Sequence, residues 1–288
     1  MGVSELVVTY ETHIRLGFFT AVLSLMVLWE IVAPLRKLRI SKRRRWCNNF
    51  AIVILNSIVL RLVFPMAALG MAVFASNHGW GVFNSVSLPP WSAAMICIIA
   101  LDLTIYFQHV LLHAIPVLWR VHRMHHADLD FDVSTGGRFH PLEILLSMGV
   151  KFAAILVLGV PVVAIVIFEI VLSATSLFNH SNIRMPTKLD GRLRWFLVTP
   201  NMHRVHHSAE SDETDSNFGF NLPWWDRLFG TYRAQPRVGH EKMDIGLAIF
   251  RNEKQCQSLL GMLAIPFVAA TSTTVKSGAK SGAKEEHL

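Results

Sequence analysis

The chain has 288 residues, 52% hydrophobic and only 16% charged, with a formal net charge of +7. Soluble domains carry about 25% charged residues, so this composition excludes an ordinary soluble protein. The basic residues sit in loops between apolar runs, which excludes a nucleic-acid footprint and suits positive-inside topology.

The opening segment, Met1 to Arg15, lacks a basic n-region, so no cleavable signal is expected. Leu16 to Ala33 is an apolar run broken only by Glu30 and followed by Pro34. It is just long enough to span a bilayer. From Arg36 to Arg45, seven of ten residues are basic, which places this loop in the cytoplasm and the N-terminus outside. Phe50 to Phe74 is expected to be the second span, carrying Arg61 and Pro65. The uncharged loop Ala75 to Pro90 suits the outer side. Trp91 to Gln108 is expected to be the third span, running directly into His109 and His113. Asp102 lies seven residues before His109, two turns back on the same helical face. An acid at that depth is costly; Arg61 is one candidate partner, and two unrelated polar residues facing other helices are the alternative.

Pro116 breaks that helix, and the next segment carries His122, His125 and His126 as H-x-x-H-H. The polar stretch Asp128 to Arg138 leads to Phe139-His140-Pro141-Leu142-Glu143, with His140 placed as an N-cap and Pro141 at the first helical position. Leu142 to Phe178 is mostly apolar, with Gly159-Val160-Pro161 near its middle, where a hairpin would turn. Two short arms would then enter and leave from one face, returning His140 and His180 to the same side. Asn179 to Gln257 is polar and basic. Within it, Thr199-Pro200 opens a short helix bearing a second H-x-x-H-H at His203, His206 and His207. The aromatic loop Asn217 to Trp225 suits the bilayer interface. Leu259 to Ala270 is apolar but too short to span, so it is expected to pack or lie on the surface. The tail, with SGAK written twice, reads as disordered. Cys47, Cys97 and Cys256 are isolated, which argues against a disulfide framework and for a reducing side.

Residues three and four apart share a helical face, so each histidine group can aim its imidazoles at one point. Imidazole suits iron, zinc, copper or nickel, and a four-coordinate zinc would need three or four ligands. Eight clustered histidines, or ten with His140 and His180, are enough for two ions. His140 could instead serve only as the helix cap. Asp102 and Asp128 are candidate carboxylates to fix imidazole tautomers. His13, His78, His240 and His287 stand alone and read as ordinary side chains.

The three boxes, with Asp102 ahead of the first, resemble the fatty acid hydroxylase and sterol desaturase superfamily of membrane di-iron enzymes. The resemblance extends through Leu118-Trp119-Arg120-Val121-His122, Arg138 to Glu143, Phe178-Asn179-His180-Ser181-Asn182, Asp215 to Gly219 and Trp225 to Tyr232. It implies an O2-dependent hydroxylase or desaturase acting on a lipid such as a sterol, fatty acyl chain or related isoprenoid. It also implies two non-haem iron ions, held by His109, His113, His122, His125, His126, His203, His206 and His207, with His140 and His180 as further ligands. Hydroxylation is preferred to desaturation, and an ether-lipid oxygenase falls in the same superfamily. No b5-type haem motif and no G-x-G-x-x-G fingerprint occur in the sequence, so electrons are expected from a separate ferredoxin or cytochrome b5-type donor with its reductase. A zinc hydrolase would leave most of the histidines without a task. A metal transporter would want polar residues through the spans, where Glu30, Arg61 and Asp102 are the charges counted.

The expected architecture is all-α: an integral membrane helical bundle with a cytoplasmic histidine-rich metal-binding cap. Residues 1–101 would form the first spans and the basic loop. Residues 102–257 would form the catalytic domain, with a membrane hairpin over 142–178, and 258–288 the apolar segment and tail.

Overall fold

A computed structural model describes residues 3–269. The repeated SGAK tail and His287 lie outside the described residues. Helix α1 (Val3–Val32) begins well before the expected start at Leu16 and stops ahead of Pro34. Glu30, the one acid in its apolar run, is buried; its Oε1 accepts from the Val133 and Asn182 N–H groups at 2.7 and 2.8 Å. The interruption in the pattern therefore marks where the helix ties into the polar end of the bundle.

Helix α2 (Lys42–Val63) starts inside the basic run rather than after it. Arg45 is fully buried, with Nη2 2.8 Å from Asp128 and Nη1 2.6 Å from Asp132. A basic residue expected in a solvent-facing loop is thus a structural cation, because two buried carboxylates need one nearby. The expected single span Phe50 to Phe74 is split. Pro65 offers no N–H and restricts Phe64, so α2 ends at Val63 and α3 (Ala67–Asn77) begins anew. After α3 comes a short α4 (Val82–Ser85). It is preceded by Gly81 at φ 96°, where a Cβ would stand 2.1 Å from the Gly159 nitrogen. Only glycine permits that approach.

Helix α5 (Pro90–Ala114) is continuous through His109 and His113. A single extended residue, Ile115 (φ −96°, ψ 117°), separates it from α6 (Pro116–His126), as expected for a residue before proline. This tight turn folds the second histidine box back against the first. Asp102 pairs not with Arg61 but with the Trp225 indole N–H (2.8 Å) and the Leu222 N–H (3.3 Å), so it anchors the aromatic loop to α5. Helices α7 (Pro141–Leu158) and α8 (Val162–Asn179) form a hairpin that turns at Gly159, φ 69°. Each arm has 18 residues, roughly 27 Å at helical rise. The arms are therefore not short: each matches a hydrocarbon core of about 30 Å. They also carry Lys151 and Glu169, and the longer α1 adds Glu11 and Arg15, which corrects the count of charges within the spans. Two short helices, α9 (Thr187–Leu193) and α10 (Pro200–His206), follow. Thr199 caps α10, its hydroxyl accepting from the Met202 N–H.

Five helical stretches are long and apolar enough to cross a membrane: Leu6–Val32, Lys42–Ser85, Pro90–Ala114, Pro141–Leu158 and Val162–Asn179. Leu25, Leu28, Ile31 and Leu62 point outward from α1 and α2, as a lipid-facing surface requires. The described residues contain helices and isolated bridges but no strand, so the protein is an all-α membrane bundle. At the end marked by Gly81 and Gly159, small residues Ala68, Ala72 and Ala164 pack with Ile155, Ile165 and Phe168. Such small side chains let membrane helices approach closely. At the opposite end, the short helix Leu259–Ala264 packs Met262, together with Ile265, against Ile52 and Met124. The apolar C-terminal segment is thus part of the fold rather than a surface strip, and it supports α6 from behind.

Candidate metal centre

Nine histidines converge at this polar end, in two groups. His109, His113, His122, His126 and His206 form one, and His125, His180, His203 and His207 the other. In each group the nearest ring nitrogens lie within 4.8 Å of one another. Histidines four apart stay within a group, whereas those three apart are divided between the two. His122 and His126, four apart on α6, face one group, whereas His125 faces the other. On α10 and its cap, His206 joins the first group while His203 and His207 join the second. His180, at the C-terminal end of α8, completes the second group. Neither group is local in sequence: the first joins α5, α6 and α10, and the second joins α6, the end of α8 and α10.

Six rings are held by a partner that can only accept. Nδ1 of His109 donates to the Phe218 carbonyl at 2.8 Å, His125 to Arg138 at 3.1 Å, His180 to Ser176 at 2.9 Å, and His206 to Ser216 at 2.8 Å. His113 donates to the Asp215 carboxylate at 3.0 Å and His122 to Glu143 at 2.7 Å. A neutral imidazole with its proton on Nδ1 presents a bare lone pair at Nε2. In the first group the Nε2 atoms of His109 and His122 stand 3.2 Å apart. In the second, those of His125 and His180 also stand 3.2 Å apart. Both members of each pair are held in this tautomer, so two acceptors face each other with no proton to share. A cation bound by both lone pairs resolves that conflict, and the all-imidazole donor set suits iron, zinc, copper or nickel. The residues therefore fit a metal ion in each group. The buried His113 and His206 Nε2 atoms, which have no hydrogen-bond partner among the described residues, add to the same case.

The environment keeps these rings neutral. Burial, together with neighbouring histidines, holds His125, His126, His203, His206 and His207 well below the ordinary histidine range. Burial lowers His180 to about 4. Phe139 stacks on His125 at 4.5 Å, Phe131 lies against His180, and Phe218 packs edge-on against His109 and His113. These rings help keep water from the centre.

His140, expected among the ligands, joins neither group. Its Nδ1 accepts from the Leu142 N–H at 3.1 Å, capping α7, and its Nε2 meets the Leu263 carbonyl at 3.3 Å. The cap geometry turns the ring away from the centre. Among the described residues, neither Asp102 nor Asp128 hydrogen-bonds a histidine. Asp128 instead binds Arg45, Thr135 and Gln257; burial alone would raise its pKa, but Arg45 and Arg138 hold it below the ordinary carboxylate range. The carboxylates that do fix ring tautomers are Glu143 and Asp215. Their sequence signal is faint: Glu143 sits in the first turn of α7, where an acid suits the helix dipole in any case, and Asp215 lies 102 residues from the ring it holds.

A cavity of about 420 Å³ touches His109, His122, His125 and His203 and extends into the bundle as far as Lys151 and Glu169. Its wall is mainly apolar, with Phe19, Leu60 and Leu172 among the lining residues.

Residues 94–231 match the family model for fatty acid hydroxylase. An ornithine lipid hydroxylase of Rhizobium tropici is 31% identical over 210 residues, covering 71% of this chain and 59% of that protein. Alkylglycerol monooxygenase of Xenopus tropicalis is 28% identical over 170 residues, 57% of this chain and 36% of that enzyme. Methylsterol monooxygenase 1 of Gallus gallus is 27% identical over 148 residues, 50% and 48% of the two chains. The chain thus spans less than two thirds of the length of each of these relatives. No solved structure matches it.

Proposed function

We propose, from the match of residues 94–231 to the fatty acid hydroxylase family model, that the chain is a membrane-bound di-iron oxygenase that hydroxylates or desaturates a C–H bond of a lipid. The observation that carries this reading is the pair of opposed Nε2 lone pairs, one in each histidine group, beside an apolar cavity. His109, His113, His122, His126 and His206 would hold one iron, and His125, His180, His203 and His207 the other. Two such ions, when bound, supply O2 activation at the expense of two electrons from an external donor. His140 is left out of this ligand set.

The chain's own residues do the rest. Glu143, Asp215 and the carbonyls of Arg138, Ser176, Ser216 and Phe218 hold the imidazole tautomers and orient the rings, so that little reorganisation accompanies binding. The cavity takes up an apolar lipid segment and lays it against His109, His122, His125 and His203. Phe139, beside His125 on the cavity wall, limits water there, which protects a reactive oxidant from side reactions. Residues 102–257, with the hairpin, would form the catalytic unit and residues 1–101 its membrane support. By the basic Arg36 to Arg45 run, the histidine end faces the cytoplasm and the N-terminus lies outside. A separate ferredoxin or cytochrome b5-type protein would deliver electrons from that side.

Likeness to alkylglycerol monooxygenase favours a second reading within the same chemistry, with an ether lipid as substrate. The experiment is to purify the chain, quantify iron, and follow lipid oxidation with reductant under O2 and under argon. Two irons per chain and product only under O2 are expected. Turnover under argon, or active protein with less than one iron, would overturn the reading.

A further inference from the structure

The far wall of the cavity carries a charged group that the metal centre does not use. Glu169 Oε1 accepts from Lys151 Nζ at 2.7 Å, and its Oε2 lies 2.7 Å from Arg15 Nη1. Arg15 Nη1 also donates to Glu11, one turn back on α1, at 2.6 Å. All three of Arg15, Lys151 and Glu169 line the cavity that touches the histidines. They come from α1, α7 and α8, all membrane-spanning stretches. Lys151 follows His140 by eleven residues and Glu169 precedes His180 by eleven, so both stand roughly 16 Å from the histidine end.

Ionised groups at mid-span are costly and concentrate at functional sites. A staple across the hairpin alone would be served as well by apolar packing. The donor and acceptor inventory is also unequal. Both Glu169 oxygens are taken, whereas an ammonium offers three donors and a guanidinium five. Among the described residues, Lys151 bonds one acceptor and Arg15 only the two carboxylates. Spare cationic donors on an otherwise mainly apolar wall call for an acceptor oxygen on whatever fills the cavity.

We propose that Lys151, Glu169 and Arg15 form a subsite for an oxygen function of the bound lipid, a carboxylate or a hydroxyl, about a dozen bonds from the carbon laid against the histidines. Glu169 holds the two cations in place, and Lys151 and Arg15 donate to the oxygen. The substrate class is then an oxygenated chain rather than a plain hydrocarbon tail, and the distance between the two ends of the cavity sets which carbon is presented. This inference rests on the lipid-oxidising reading of the centre, but its test does not need turnover.

The whole 288-residue chain in nanodiscs is loaded with tritiated hexadecanoic acid, and bound tracer is competed with hexadecanoic acid, hexadecan-1-ol or hexadecane. Wild type should prefer the acid or the alcohol to hexadecane by at least about tenfold, the stronger of the two identifying carboxylate or hydroxyl. The double variant Lys151→Met/Glu169→Met leaves Arg15 with Glu11 and no orphaned charge; it should lose that preference while still binding hexadecane. The single variant Lys151→Met gives the same readout if the double variant does not fold. Equal competition by hexadecane in wild type, no saturable binding of the tracer, or a preference that survives these variants would overturn the subsite and leave a structural staple. Iron content and O2-dependent product, measured on the same protein, report separately on the oxygenase reading.

Discussion

Each imidazole has one nitrogen to tie down and one to give, and in this protein the tied nitrogen decides what the ring can do. His125 and His206 sit in different groups, each with Nδ1 held by a carbonyl. His125→Ala or His206→Ala is expected to lose iron from its own group and abolish activity with the protein still inserted; His13→Ala should change neither. His140→Ala separates the cap from a ligand role. It should keep full iron and lose only about 1 kcal/mol of stability, as for other N-caps. Elemental analysis of the three purified variants checks this, and iron loss in His140→Ala would return it to the ligand set. Asp226, which holds the Phe218 N–H behind His109 without touching a histidine itself, supplies a pH test. Burial raises its carboxyl to about 6, against the N–H groups of Phe218 and Gly219 and the Thr231 hydroxyl that favour its ionised form. The folded state therefore holds this proton more tightly than the unfolded chain, whose aspartate titrates near 4. Its contribution to stability is complete below about pH 4 and falls, by up to ~3 kcal/mol, as pH rises to about 6. Thermal unfolding of wild type and Asp226→Asn between those values should show the wild-type slope reduced in the variant.

Among the elements, the join between α2 and the Asp128 to Gly137 segment governs how the centre is supported. Arg45 bonds Asp128 through two nitrogens and also meets Asp132 and Thr135. Asp132 in turn caps the Val133–Gly137 turn, accepting from the Ser134 N–H at 3.0 Å. Removing one member of a buried ionic network leaves the others unpaired, at a cost of about 3–5 kcal/mol. Arg45→Met should therefore lower the unfolding midpoint markedly and loosen the turn before α7. Replacing Arg44, whose partner Glu253 is exposed, should cost under about 1 kcal/mol. Comparable losses at both positions would mean that burial of Arg45 does not set its importance.

On the scale of the whole molecule, five membrane-length helical stretches, two of them forming a hairpin, bring both histidine groups to the same end. The α1 terminus at Glu30, the start of α2, the end of α5 and both ends of the hairpin meet there, while Gly81 and Gly159 touch at the other end. Single cysteines introduced at Asn77, Ser211 and Asn252, in a background with Cys47, Cys97 and Cys256 replaced, test the orientation. A membrane-impermeant reagent applied to whole cells should label position 77 alone, with 211 and 252 labelled only after lysis. Labelling of 211 from outside would place the histidine end on the other side and require a different electron donor.

The amino-acid sequence by itself determined the helical class, the apolar runs and the histidine boxes, because helical periodicity and hydropathy are local properties that a single chain displays. It also carried the Gly159 to Pro161 breaker and the cap at His140, which depend on only a few neighbouring residues. The tertiary structure decided which histidines share a group, since His122 and His125 are three apart yet face different groups. It placed His140 outside both groups and put Glu143 and Asp215, rather than Asp102 and Asp128, on the rings. It also brought Arg15, Lys151 and Glu169 together across three helices. Those outcomes turn on side-chain direction and on contacts between residues far apart in the chain, which sequence spacing does not encode.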